Sequence, residues 1–256
     1  MNSTVVSSFS ANLVALSYMI SVLGSFVALA AARGIRKADG SLSRANVAGA
    51  GLALGGIGVW SMHFIGMLAL KLDLATGYAL FETLISLVAA VVAASLAFMY
   101  VGRDASLRRI MVAGCVLGLG VAVMHYLGMF GMRFGGYLQW NAGIVVLSVF
   151  IAMAAASAAL WLAFNTPTLP FRVMAALVLG AAVCSMHYTG MAAADFVCTT
   201  ANRGVVPAGF GVIGAAYLPA LVLTVAIGLA VVIAMDHLMQ NLFASPGAGP
   251  DRAKVG

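Results

Sequence analysis

Apolar runs of about twenty residues follow one another along almost the whole chain, interrupted only by short charged or turn-rich stretches. An α-helix needs about 20 apolar residues to cross the hydrocarbon layer of a membrane. The pattern therefore predicts seven spans, near residues 9–32, 47–70, 78–101, 110–132, 141–163, 171–194 and 213–236. The breaks read RGIRKADGSLSR, KLDLATG, GRDASLRR, FGGYLQW, NTPTLP and DFVCTTANRGVVPAG, none long enough for a second domain. The expected fold is an all-α membrane protein of seven transmembrane helices. Residues 1–240 form one membrane domain, and 241–256, rich in Pro and Gly, form a short tail expected to be disordered.

Composition strengthens that reading. Only 8% of residues are charged and 63% are hydrophobic, whereas a water-soluble domain carries about a quarter charged residues. The net charge of +6 does not point to nucleic acid, because Lys and Arg sit in short loops and form no continuous basic face. Their placement orients the chain instead. Arg33, Arg36, Lys37, Arg44, Arg103, Arg108, Arg109, Arg172, Arg252 and Lys254 fall on one side, against Lys71, Arg133 and Arg203 on the other. The positive-inside rule then places the N-terminus outside and the C-terminus in the cytoplasm. MNSTVVSSFS has no basic residue ahead of the first apolar run, unlike a cleavable signal peptide. Cys115, Cys184 and Cys198 show no framework of paired spacings, so no essential disulfide is expected.

The chain also repeats itself. His63, His125 and His187 are 62 residues apart, within SMHFIGM, VMHYLGM and SMHYTGM, and Gly56, Gly118 and Gly180 keep the same step. The repeats, near 47–101, 110–163 and 171–236, are helix pairs, with the first span outside the pattern. Each holds an even number of spans, so all three run the same way through the membrane and imply a pseudo-threefold axis along its normal. The three histidines then meet at one depth in the outer half of the bilayer.

Each histidine shares a helix face with a methionine four residues later: Met67, Met129 and Met191. The glycines between, Gly66, Gly128 and Gly190, leave room for another helix to approach. Met62, Met124 and Met186 flank that face. Three imidazoles on one axis with thioethers one turn outward suit a metal. Thioether sulfur favours Cu(I) and imidazole accepts copper or zinc, so the methionines favour copper over zinc. Three histidines also leave one position free for a diatomic gas such as O2, NO or CO. A lone Met in a membrane helix is packing and a lone His a weak hint; threefold recurrence is what carries the reading. Tyr126 and Tyr188 follow their histidines and could hydrogen-bond near the site, while Phe64 takes the first place. Cys184 occupies the position of Trp60 and Ala122, and is read as a small buried residue. Glu82, Asp195 and His237 are read as interfacial.

These elements, Met186-His187-Tyr188-Thr189 with Met62-His63-Phe64-Ile65 and Met124-His125-Tyr126-Leu127, resemble the MHYT domain of bacterial membrane sensors, over residues 9 to 240. The resemblance implies a multi-pass domain of the bacterial inner membrane. It implies a copper-binding sensor of a diatomic gas or redox state, with the Met, His and Tyr positions just named as its site. It further implies a cytoplasmic signalling partner or output domain. A copper transporter or copper-delivery protein is the alternative, and would need a coordinating path to the cytoplasm. No acid/base pair accompanies the histidines, so an enzyme is not expected.

Overall fold

The structure is a computed structural model that describes residues 3–243. Of the tail 241–256, expected to be disordered, the first three residues instead continue the last helix as far as Phe243, and the rest lies outside the described residues. Seven helices are long and apolar enough to cross a membrane. They are α1 (Ala11–Ala32), α2 (Arg44–Ala69), α3 (Leu80–Arg103), α4 (Leu107–Phe130), α5 (Ala142–Asn165), α6 (Leu169–Ala192) and α7 (Leu218–Phe243). Their starts show ordinary signals. Ser43 Oγ accepts from the amide of Asn46, and Asn141 Oδ1 from that of Ile144. Pro170 stands in the first turn of α6, where its missing N–H is not needed.

The spans agree with the hydropathy pattern to within about three residues, except the last. The apolar run from 213 is not yet spanning helix: Val212–Gly214 is a strand and Ala215–Tyr217 a 3-10 turn. At its far end α7 continues past Asp236 and His237, because neither residue breaks a helix.

Six helices close into a ring in chain order. α2, α4 and α6 form the inner layer and touch one another around the axis; α3 lies between α2 and α4, and α5 between α4 and α6. The gap between α6 and α2 is filled by α1, while α7 packs chiefly on α2. Thus the repeats in sequence are three helix pairs, but in space the first span completes the threefold arrangement and the seventh stands outside it. Small residues make the close approaches. A Cβ on Gly118 would overlap backbone at Ala152 and Met153 of α5, and one on Gly180 would overlap Val22 of α1. Gly24 of α1 abuts the backbone of Gly58. Without a hydrophobic driving force between helices in lipid, such backbone contact is what holds them.

Short strands, absent from the hydropathy reading, cap the end of the bundle nearest the histidines; we call it the strand end, and the opposite one the loop end. Strand β2 (Ser7–Phe9), ahead of α1, pairs antiparallel with β3 (Leu70–Leu72), which follows α2. β4 (Gly77–Ala79), ahead of α3, pairs with β5 (Met132–Arg133), which follows α4. β6 (Gly136–Trp140), ahead of α5, pairs with β7 (Ala194–Cys198), which follows α6. β1 (Ser3–Thr4) and β8 (Val212–Gly214) extend two of these ladders. The strand after each inner helix begins at Leu70, Met132 or Ala194, again in steps of 62. Each ladder joins α1 to α2, α3 to α4 or α5 to α6, the same pairing that the ring shows.

One helix departs from the symmetry. α2 is π-helical over Leu52–Ser61, and Ser61 Oγ donates to the carbonyl of Gly56. A π-helical stretch accommodates an extra residue, and the packing shows where it went. The contact that Gly118 makes with Ala152 and Met153 is made in α2 by Gly55, against Ala90 and Val91, not by Gly56. Gly51 meets Ser95 as Gly114 meets Ser157. On the loop side of the π stretch the repeat step is therefore 63, and beyond it, at the histidines, 62. Gly56 is turned away to face Leu229 of α7.

Candidate metal centre

Each inner helix delivers one histidine to the axis, and all three are buried: His63 0%, His125 1% and His187 1% exposed. Their Nδ1 atoms converge, at 3.1 Å between His63 and His125, 3.1 Å between His63 and His187, and 3.3 Å between His187 and His125. The ring planes stand 77° to 86° apart, like the blades of a propeller.

This arrangement constrains the protons. A neutral imidazole has one N–H and one lone pair. A proton on one Nδ1 could serve only one of its two neighbours, so three histidines cannot satisfy one another at these separations. With the protons on Nε2, three lone pairs point at one centre. A cation there satisfies all three, and nitrogens about 2.0 Å from one ion in tetrahedral directions lie about 3.3 Å apart. The donor set therefore fits a metal ion. It is also the group of His, Cys, Asp and Glu side chains that can hold one among the described residues.

The outward sides of the rings are held by glycine. A Cβ on Gly128 would overlap Nε2 of His63; one on Gly190 would overlap Nε2 of His125; one on Gly66 would overlap Nε2 of His187. Each imidazole thus fills the space left by the glycine of the next repeat, cyclically. The expectation that these glycines admit a neighbouring helix is corrected: what they admit is a histidine ring. None of the three Nε2 atoms has a hydrogen-bond partner among the described residues.

An aromatic ring meets each imidazole edge to face: Phe64 on His63 at 4.7 Å, Tyr126 on His125 at 4.8 Å and Tyr188 on His187 at 4.8 Å. The phenols reach outward to serines on the surrounding helices. Tyr126 Oη lies 2.6 Å from Ser148 Oγ, and Tyr188 Oη 2.9 Å from Ser17 Oγ. Both serines donate to a carbonyl three residues earlier, so the tyrosines are the donors between them. Phe64 has no hydroxyl. There Ser86, which follows the same i−3 pattern, accepts instead from Nε1 of Trp60 at 3.1 Å. Trp60 Nε1 also lies 2.9 Å from the carbonyl of Thr83. Sequence reasoning missed Ser17, Ser86 and Ser148, although Ser86 and Ser148 are 62 residues apart.

Met67, Met129 and Met191 are buried one turn toward the strand end, and Met62, Met124 and Met186 are buried beside the histidines. Cys184 is not part of the histidine group; it lies against Ser17 on α1. Glu82 is ion-paired with Arg133, and Asp195 is exposed on β7. His237 is exposed near the loop end of α7, away from the other three.

On the loop side, the inner helices present two apolar rings. Val59, Val121 and Val183 stand one turn before the histidines, and Leu54, Leu117 and Leu179 lie beyond them. Leu54 takes the place expected for residue 55 because of the extra residue in α2.

Three consecutive segments, residues 56–114, 118–176 and 180–245, match the family model described as MHYT, bacterial signalling protein N terminal repeat. Fold, repeats and match together define a multi-pass membrane sensory domain. The chain belongs to the MHYT family. It is 38% identical over 210 residues to the bifunctional diguanylate cyclase/cyclic di-GMP phosphodiesterase MucR of Pseudomonas aeruginosa, covering 78% of this chain and 30% of that protein. It is 35% identical over 196 residues to the cyclic di-GMP phosphodiesterase NbdA of the same organism, covering 72% of this chain and 24% of that protein. It is 28% identical over 196 residues to the signaling protein YkoW of Bacillus subtilis, covering 73% and 24%. The chain thus spans less than a third of the length of these relatives. No solved structure matches it.

Proposed function

We propose that residues 1–240 form a sensor of the bacterial inner membrane in which His63, His125 and His187 hold one copper ion near the periplasmic face. The strand end is then periplasmic and the loop end cytoplasmic, in accord with the Lys and Arg distribution. The observation that carries the reading is the convergence of three buried Nδ1 atoms to within 3.3 Å of one another. Imidazole admits copper or zinc; six buried methionines in the adjacent layers favour copper, with Met67, Met129 and Met191 as supporting ligands. Bound there, copper supplies an open coordination position for O2, NO or CO, or a change of oxidation state.

The chain's own part is mechanical. Each imidazole is wedged between its partners and the glycine of the next repeat, so no ring can turn without displacing a neighbouring helix. Tyr126, Tyr188 and Trp60 extend that displacement to α5, α1 and α3 through their serines. The curated relatives are named as cyclic di-GMP enzymes or signalling proteins, which supports a cytoplasmic output domain or partner as the recipient.

A copper transporter or delivery protein is the second reading. The valine and leucine rings disfavour it, since they offer no donor to an ion leaving the histidines toward the loop end.

The test is elemental analysis of gently purified protein, with spectra before and after CO or NO. One copper per chain is expected, falling below a tenth in His125→Ala with the helical content unchanged. Copper content unaffected by that substitution would remove His125 from the site. Vectorial copper movement in vesicles would replace the sensor reading with the transporter.

A further inference from the structure

Between the histidines and the leucine ring the bundle is not completely filled. A chamber of about 30 Å³ lies there, bounded by the two apolar rings, by Met186, and on one side by the alanines of α5. It has room for one or two water-sized molecules. Water is nevertheless a poor occupant. A buried water needs two to four polar partners, and the lining side chains are Leu, Val, Ala and Met, on helices whose backbone groups are already paired.

The asymmetry of the chamber has a cause. Facing it are Ala152, Ala155, Ala156 and Ala159, a run of small side chains on α5. At the matching places on α1, Ser21 and Ser25 are fully buried, and Gly24 packs directly on Gly58. The α1 sector is therefore closed by backbone contact. α3 carries the same alanines, Ala90, Ala93, Ala94 and Ala97, but there Gly120 of α4 packs on Ala93, whereas no glycine meets Ala155, and the α5 sector stays open. Val121, Ala155 and Val183 are only half buried, so the edge of the chamber reaches the lipid-facing surface beside α5.

We propose that this chamber is a binding site for one small apolar molecule of diatomic size, taken up sideways from the bilayer and held one helical turn, about 6 Å, below the imidazoles. The volume is too small for an aromatic ring or for more than the terminal methyl of an acyl chain, and the apolar lining disfavours ions and water. Uncharged diatomics such as O2 and NO dissolve better in hydrocarbon than in water, so the membrane itself supplies them. The purpose of the site rests on the reading of the histidines as a gas-responsive centre, but its capacity for an apolar solute does not.

Xenon, an apolar probe of similar size, tests the site. Crystals of the full chain are pressurised with xenon without metal and after copper loading. The expected result is one xenon bounded by Val59, Leu117 and Ala156 in both. Its occupancy should fall at least fivefold in Ala156→Leu and in the milder Ala152→Val, which fill the chamber from the α5 side. No xenon in the parent protein, or undiminished xenon in either folded variant, would overturn the proposal. Xenon binding in a protein that retains no copper would leave the chamber standing and the metal reading fallen; copper retention without xenon would do the reverse.

Discussion

His63 seats its Nε2 edge against Gly128, one repeat further along the chain, while its Nδ1 faces the axis. The same relation joins His125 to Gly190 and His187 to Gly66. A ring held on both edges keeps its orientation without a hydrogen bond to fix it, so the fit of the glycines sets the geometry of the nitrogens.

Gly128→Ala follows from that relation. The added methyl overlaps Nε2 of His63 and must push the ring off its position. Overpacking of this kind destabilises by about 1–3 kcal/mol. Metal retention is expected to fall at least tenfold, measured by titration against a competing chelator. Gly228→Ala is the control: nothing lies within 4 Å of a Cβ there, and Ala is the better helix former by about 1 kcal/mol. Equal metal retention in the two variants would deny the glycines their role.

Tyr126→Phe recreates in the second repeat what Phe64 already is in the first. It removes the hydrogen bond to Ser148, worth about 1 kcal/mol, and leaves the edge-to-face contact with His125. Thermal unfolding in detergent should show that modest loss with copper content unchanged. If Tyr126→Phe empties the site, the phenol is a ligand or holds one.

Among the four histidines, His237 should be dispensable. His237→Ala is expected to keep full metal content, whereas His63→Ala should lose it as His125→Ala does. Elemental analysis of the three variants, purified side by side, decides this.

The position of α1 can be checked by cross-linking. Tyr18 donates to the carbonyl of Leu177 across the α1–α6 contact. With the native cysteines replaced, Tyr18→Cys and Leu177→Cys should be joined by a short bifunctional maleimide, while Leu229→Cys and Leu177→Cys should not. The opposite pattern would put α7 in the gap that α1 fills.

Much of this was legible in the chain. Hydropathy shows the seven spans, because lipid demands long apolar helices and nothing else reads that way. The step of 62 brings His63, His125 and His187 to one level, since repeats with an even number of spans must run parallel. Which odd helix closes the ring had a signal that went unread. Ser17, Ser21, Gly24, Ser25 and Ala28 recur at helical spacing on α1 and form its buried face, and the choice is sealed by Gly24 meeting Gly58 and Val22 meeting Gly180. The strands were also hidden, because β3 and β7 pair with segments far away in sequence and are too short to show alternation. The glycine seats were half visible: a small residue three places after each histidine could be noted, but not that its neighbour is a ring.

The additional residue in α2 gives the bundle a handle for telling its sectors apart. Three nearly equivalent wedges surround the histidines, and a seventh helix lacking a guide would have three equal places to dock. By rotating one wedge so that Gly56 receives Leu229, the insertion works as an address label. The outermost helix is thereby seated on a single, predetermined side of an otherwise threefold core.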